Sequence, residues 1–437
     1  MKRSLSILTA MATSFLAAAV FSADGGRTAA SAKAIAAEVV PLYIDLHQHP
    51  ELSLHEERTA KVLADRLRGL GFAVTEKVGG TGVVGVLKNG PGPTVMLRTE
   101  LDALPVEEKT GLAYASRVRT KNDEGADVPV MHACGHDVHM AVWTGTAIAM
   151  SREKAAWSGT LVLIAQPAEE RAMGAKAMLA DRLFERFPKP DVIVALHDTP
   201  NLPSGTLGYT PGPTLASADS VDLTIFGKGG HGAAPQTTVD PVVIAARTIL
   251  ALQTIVSRET NPLDPAIVTV GSIHGGSKHN IIPDEVKLQI TVRSFKDDVR
   301  AHTLAAIERI AKAEAVAAGA PREPVMKIVE SCPVTVNDDH FTPIVVEAIR
   351  RELGAEKVTQ NPPDTASEDF SEFGRAGVPT VDVRLGAAVP AELAAAKAAG
   401  RSMPSLHSSF FRPDLDATLE TGIRAEIAVL MELLKKP

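Results

Sequence analysis

TLVLIAQPAEERAMGAKAMLADRLFERFPKPDVIVALHD, Thr160 to Asp198, decides the fold class. It opens on an apolar run, Thr160–Gln166, and closes on a second, Asp191–His197. Short continuous apolar runs bounded by Pro and charged residues read as strands buried on both faces. Between them Gly174–Phe187 reads as a helix. Strand, helix, strand in one stretch implies a parallel pair joined by a crossover. The rhythm extends outward in both directions. TGVVGVLKN (81–89) and PTVMLR (93–98) read as strands joined by the turn Asn89–Gly90–Pro91–Gly92, and TVDVRLG (380–386) reads as another. AVWTGTAIAMSRE (141–153) reads as a helix, and a further helix is expected over Leu52–Leu70, where Leu63, Leu67 and Leu70 share a face. The expected class is α/β, a largely parallel mixed sheet covered by helices.

Between about Ser217 and Glu330 the rhythm changes. SVDLTIF, PVVIAARTILALQTI, AIVTVGSIH, EVKLQITVRSF, DVRAHTLAAIERIAKAEAVA and VMKIVES alternate as β-α-β-β-α-β, the ferredoxin-like split βαβ order. α/β character then returns, and the chain ends in a helix with Leu419, Ile423, Ile427, Leu430 and Leu434 at helical spacing. A chain of 437 residues is long for one core. The expected organisation is a leader over 1–23, a discontinuous domain over 24–216 and 331–437, and an α+β domain inserted at 217–330.

Hydrophobic residues at 45% and charged residues at 22% are ordinary for a globular protein, and a net charge of −7 argues against nucleic-acid binding. Two cysteines cannot build a disulfide scaffold. Lys2 and Arg3, followed by the uncharged run SLSILTAMATSFLAAAVFSA, fit a cleaved secretory signal peptide. No other segment reads as long and apolar enough to span a bilayer. The mature protein is therefore expected to be exported, periplasmic in a Gram-negative source, with no stable membrane anchor.

Three strand candidates run into polar residues that apolar packing would not select. VMLRTELDA delivers Glu100 and Asp102, TLVLIAQPAEE delivers Glu169 and Glu170, and VIVALHD delivers His197 and Asp198. Ligands of open parallel sheets bind beyond the carboxyl ends of the strands, so these groups can converge on one rim. VMHACGHDVHM (130–140) adds Cys134, His136, Asp137 and His139. Singly, each has a bland alternative: a histidine after a strand caps or faces solvent, and paired glutamates favour a helix start. Together, one thiolate with imidazoles and carboxylates suits zinc or another divalent transition ion. Cys332, in SCPVT, has no companion ligands, so a structural Cys-x-x-Cys site does not form. For Cys134 a disulfide, a structural metal, a nucleophile and a catalytic metal are all open on composition alone.

The stretches IDLHQHPELSLHEERTA, LRTELDALPVEEKTGLAYAS, MHACGHDVHMA, QPAEE, ALHDTP, GKGGHGAAPQTTVDPV, GGSKHNIIPDEV, SEDFSEF and LHSSFF follow one another along the chain. In that order the sequence resembles the co-catalytic metallopeptidase and amidohydrolase family of aminoacylases, carboxypeptidase G-type enzymes, hippurate hydrolases and auxin-conjugate hydrolases. The hippurate hydrolase branch is the nearest likeness. The resemblance implies a zinc-peptidase-like catalytic domain with an inserted lid and dimerisation domain. It also implies two divalent metal ions per subunit (Zn, Mn, Co or Ni), and hydrolysis of an N-acyl amino acid or related peptide to a carboxylate and a free amino acid. Cys134, His136, Glu170, His197 and His407 match the family's metal ligands. Glu169 matches the general base and Asp102 a carboxylate behind the ligands. His231 and Asn280 match positions that reach a neighbouring subunit's active site, which implies a homodimer.

Two departures stand out. The branch reads Arg-Ala-Asp-Met-Asp where this chain has Arg98-Thr99-Glu100-Leu101-Asp102, so the longer Glu100 carboxylate is read, with Asp137 and His139, as either a further metal contact or a support behind the ligands. The turn after the glutamate pair, normally Gly-rich, is Arg171-Ala172-Met173-Gly174. A rival reading, Cys134 as a nucleophile with His136 or His139 as its base, leaves Glu169, Glu170, His197 and His407 without roles.

Overall fold

The computed structural model describes residues 31–436, so the expected leader lies outside the described residues. The chain forms two compact units. One is built from the chain up to Pro211, Asn337–Asn361 and the segment from Gly377 onward; the other from Gly212–Val336 and Pro362–Ala376.

The first unit is organised around an eight-stranded sheet in the order Ala73–Val78, Gly82–Asn89, Gly159–Gln166, Thr94–Glu100, Val192–Pro203, Thr380–Ala388, Leu207–Tyr209, Val358–Gln360. The four central strands run parallel, as the apolar runs predict. The first two strands and Leu207–Tyr209 are antiparallel to their inner neighbours, so the sheet is mixed. Helices over 31–48, Glu57–Gly69, His136–Arg152, Phe341–Leu353 and Leu415–Leu433 share one hydrophobic core with it. His136–Arg152 is buried from His136 through Met150, its polar positions included.

Two expectations change in detail. The helix read at Leu52–Leu70 starts only at Glu57. The helix read across Gly174–Phe187 is two pieces, Gly174–Ala180 and Leu183–Arg186. Arg182 takes a left-handed conformation between them, φ 63°, which no helix continues through.

In the second unit the strands lie in the order Ala266–His274, Glu285–Ser294, Ser217–Phe226, Val325–Cys332, all antiparallel. Helices Pro241–Thr254 and Asp297–Ala317 bury Ile244, Leu252, Ile307 and Ile310 against Val221, Leu223, Leu288 and Ile290. One sequence reading is corrected here. Pro241–Glu259 is long and apolar enough to cross a membrane by length and composition. Its Ile244, Ala245, Leu252 and Ile255 belong to the core of this unit, while Val242, Val243, Leu250 and Val256 are exposed.

Candidate active site

The central strands of the first unit bring the polar residues to one rim. Glu100 pairs in register with Gln166, and Arg98 with Ala195. Asp102, the turn Pro167–Glu170, and His197 with Asp198 therefore emerge side by side. Helix His136–Arg152 begins at the same rim. Gly135 caps it in a left-handed conformation, φ 76°, and a Cβ there would lie 2.4 Å from Asp198 Oδ2. Only glycine allows the Cys134 loop to lie this close to the Asp198 carboxylate.

The glutamate pair sits on a strained turn. Ala168 and Ala172, on either side of Glu169–Arg171, both have positive φ. Asp102 holds the turn by accepting the backbone N–H groups of Glu169 (3.2 Å) and Glu170 (3.0 Å), and Glu56 accepts that of Ala168 (2.8 Å). Ser53 donates to Asp102 at 2.6 Å, and Thr81 to Glu56 at 2.5 Å. Non-glycine residues in this region cost about 1–3 kcal/mol each, and such strain persists where surrounding contacts over-determine it.

The candidate ligand atoms converge within this unit. Cys134, His136 and His197 form one group whose donor atoms lie within 4.8 Å of one another; Cys134, Glu170 and His407 form a second, and His136, Glu169 and Glu170 a third. Cys134 Sγ is 3.6 Å from His197 Nε2 and 3.3 Å from His407 Nε2. Glu169 and Glu170 each reach to 3.9 Å of His136 Nε2, and Glu170 comes to 3.4 Å of His407 Nε2. His407 arrives on a loop pinned by its own N–H to the Ala133 carbonyl at 2.8 Å.

Both buried imidazoles are oriented for ligation. His136 Nδ1 faces the Asp102 carbonyl and His197 Nδ1 the Asp198 carbonyl, each at 2.8 Å. A carbonyl only accepts, so each Nδ1 carries a proton and each Nε2 is turned toward the cluster, where a metal could replace any proton it holds. His136 Nε2 is buried without a hydrogen-bond partner.

The electrostatics call for a cation. Burial pushes the Cys134 thiol up, and Glu170, Glu169 and Asp198 push it further, so without a neighbouring cation it stays protonated. Burial opposes a proton on His136, but Asp102, Glu100 and Glu170 outweigh it and raise its pKa to about 10. The negative field that holds a proton there would equally hold a metal ion. Burial keeps His197 neutral, well below the usual histidine range. A buried thiol, imidazole Nε2 atoms turned inward and a surplus of carboxylates together fit divalent metal.

The remaining sequence-derived residues fall as follows. Glu100 ion-pairs with Arg98 and lies 3.0 Å from His139 Nδ1. Asp137 turns away from the cluster to His47 Nδ1 at 2.6 Å, and His47 reaches Glu108 at 3.2 Å on its other side. Arg171 is occupied at the surface by Asp123 (2.6 Å), which also meets His55 (3.0 Å). His231 and Asn280 belong to the second unit, where a two-stranded ribbon pairs Gly230–His231 with Ile281–Ile282, and Gly232 N–H donates to the Asn280 carbonyl at 2.9 Å. His47, Ser53, Glu56 and Glu108 had no assigned role in the sequence reading. They lie within the IDLHQHPELSLHEE and LPVEEKTG stretches, but their partners are far along the chain.

An α/β sheet whose carboxyl rim gathers a thiol, imidazoles and paired carboxylates defines a metal-dependent amidohydrolase or peptidase. The model of the peptidase family M20/M25/M40 matches residues 96–409, and the chain belongs to that family. It is 37% identical over 340 residues to thermostable carboxypeptidase 1 of Saccharolobus solfataricus, covering 77% of this chain and 82% of that protein. It is 38% identical over 331 residues to the hippurate hydrolase of Campylobacter jejuni, covering 75% and 82%. The crystal structure of the Bacillus subtilis YXEP protein, a dinuclear metal-binding peptidase of family M20, superimposes with a TM-score of 0.73 at 29% identity, covering 92% of this chain and 99% of that one.

Proposed function

We propose that the protein hydrolyses the amide bond of N-acyl amino acids, hippurate-like or similar conjugates, to a carboxylate and a free amino acid. Cys134, His136, Glu170, His197 and His407 would hold two divalent ions. When bound, such ions polarise the amide carbonyl and make a water more acidic. Asp102 keeps the Glu169–Glu170 turn and His136 in place. Glu169 takes the proton of the attacking water and passes it to the departing nitrogen. His231 Nδ1 accepts the Ala233 N–H at 3.0 Å, which leaves Nε2–H free to donate to a developing oxyanion. Asn280, beside it on the ribbon, would hold the substrate carboxylate. In this reading both act on a partner subunit's site, within a homodimer formed through the inserted unit.

One observation carries the division of labour. Both glutamates approach His136, but Glu170 also meets His407 and Cys134, which supports Glu170 as the ligand and Glu169 as the group that handles the proton. Glu169→Gln is expected to abolish amine release from acetyl-, benzoyl- and indoleacetyl-amino acids while bound metal, measured by mass spectrometry, stays nearly unchanged. Retained turnover would sink the assignment.

The similarity to a carboxypeptidase favours a second reading, dipeptides or carboxy-terminal amides on the same site. Including dipeptides in the substrate panel separates the two by which amine appears faster. A nucleophilic Cys134 is disfavoured, because its thiol is buried and pushed up rather than activated. The leader supports export to the periplasm, checked by amino-terminal sequencing of the mature protein.

A further inference from the structure

His139 lies within ligand distance of Glu100 and His136, and of His197 and Asp198, yet the proposed ligand set leaves it without a role. It sits three residues after His136 on the first turn of helix His136–Arg152, so both face the same side. Its ring centroid is 4.5 Å from that of His197 at 64°, and 5.5 Å from that of His136 at 37°. The ring therefore lies against both imidazoles whose Nε2 atoms face the cluster.

Both nitrogens of this ring are engaged. The Asp198 backbone N–H donates to Nε2 at 2.9 Å, which places the proton on Nδ1, 3.0 Å from Glu100 Oε2. Asp198 Oδ1 stands 3.3 Å from Nε2, and the Asp198 carbonyl fixes Nδ1 of His197. Glu100 is in turn fixed by Arg98, whose Nε donates to Gln166 Oε1 at 3.0 Å. Gln166 ends the strand that leads into the Glu169–Glu170 turn. Hydrogen bonds thus run across three adjacent strands, from the base of that turn to His197, and His139 is where they meet the helix.

We propose that Glu100 and Asp198 hold His139 as a positioning residue, a fixed spacer that sets the relative orientation of His136 and His197. The inference rests on the reading of those two histidines as metal ligands. It also assigns the long carboxylate at position 100: its length reaches His139 from the strand end.

The test is metal affinity, by competition with a chromophoric chelator, together with the visible absorption of cobalt-loaded protein, in Glu100→Ala and Asp198→Ala. Wild type is expected to bind two ions. Each variant is expected to bind two ions about 10–100-fold more weakly, with shifted cobalt bands, since partners behind the ligands typically carry that much affinity. A folding defect alone would not move the bands of the loaded protein. If Glu100→Ala does not fold, His139→Leu decides the matter, because it removes the ring that Glu100 and Asp198 hold and leaves both carboxylates in place. Unchanged affinity and spectrum in a folded variant overturn the positioning role. Loss of one ion from Glu100→Ala also overturns it, by making Glu100 a ligand. A wild-type protein that binds no ion fails the ligand reading instead.

Discussion

At the scale of single residues, Cys134 connects chemistry to environment. It is buried, and its thiol is raised first by burial and then by Glu170, Glu169 and Asp198. Metal-free protein should therefore be alkylated at Cys134 slowly near neutral pH, and faster as pH rises toward the elevated pKa, since only the thiolate reacts. Metal-loaded protein should resist throughout. Peptide mapping after timed alkylation reads this directly, and equal labelling with and without metal would count against ligation. Glu169, Glu170 and His197 were legible because they follow apolar runs, where packing gives no reason for an imidazole or a glutamate; Cys134, His136 and His407 became ligand candidates only through the family resemblance of HACGH and LHSSFF. Their supports were not. Ser53 meets Asp102 and Glu56 meets Ala168 only after the chain has folded, and nothing local marks those pairings. Asp198 stands beside His197 in the sequence, but its grip on His139 depends on a helix that starts at His136, far earlier in the chain.

At the scale of elements, the apolar runs announced the strands because both sheet faces are covered, whereas the break at Arg182 had no local signal: arginine ordinarily favours a helix. Packing between helices also produces a titratable liability. Where Leu415–Leu433 crosses His136–Arg152, Thr146 Oγ1 donates to Glu426 Oε2 at 2.7 Å, and burial pushes the Glu426 carboxyl from 4.5 up to about 8. The folded pKa is raised, so the unfolded chain ionises first as pH climbs. Stability from this residue is complete below pH 4.5 and is lost through the window to pH 8, at up to about 1.4 kcal/mol per unit. Glu426→Gln keeps the shape and an acceptor for Thr146 but cannot ionise. In urea unfolding of metal-free protein, the variant should match wild type at the acid end and become progressively more stable toward pH 8. A difference that does not change with pH would refute the buried neutral acid.

For the whole molecule, the decisive question is whether the inserted unit completes a partner's site. That unit holds 12 of the 15 exposed large hydrophobic residues among those described, although it is the smaller of the two. Val243, Leu250 and Val256 on the Pro241–Glu259 segment and Ile273 on the edge strand Ala266–His274 are among them. Exposed apolar side chains beside an unpaired strand edge are a liability in a monomer and an ordinary feature of an interface. Leu250→Asp combined with Ile273→Asp is expected to convert a dimer, by light scattering, to a monomer that still folds. The stronger test mixes two inactive chains, Glu169→Gln and His231→Ala, after reversible dissociation. If His231 acts across the interface, each mixed dimer contains one intact site. Random exchange then restores up to about a quarter of wild-type activity, because half the dimers are mixed and each has one of its two sites complete. If His231 acts only within its own chain, every site in the mixture lacks either the base or the donor, and no activity returns.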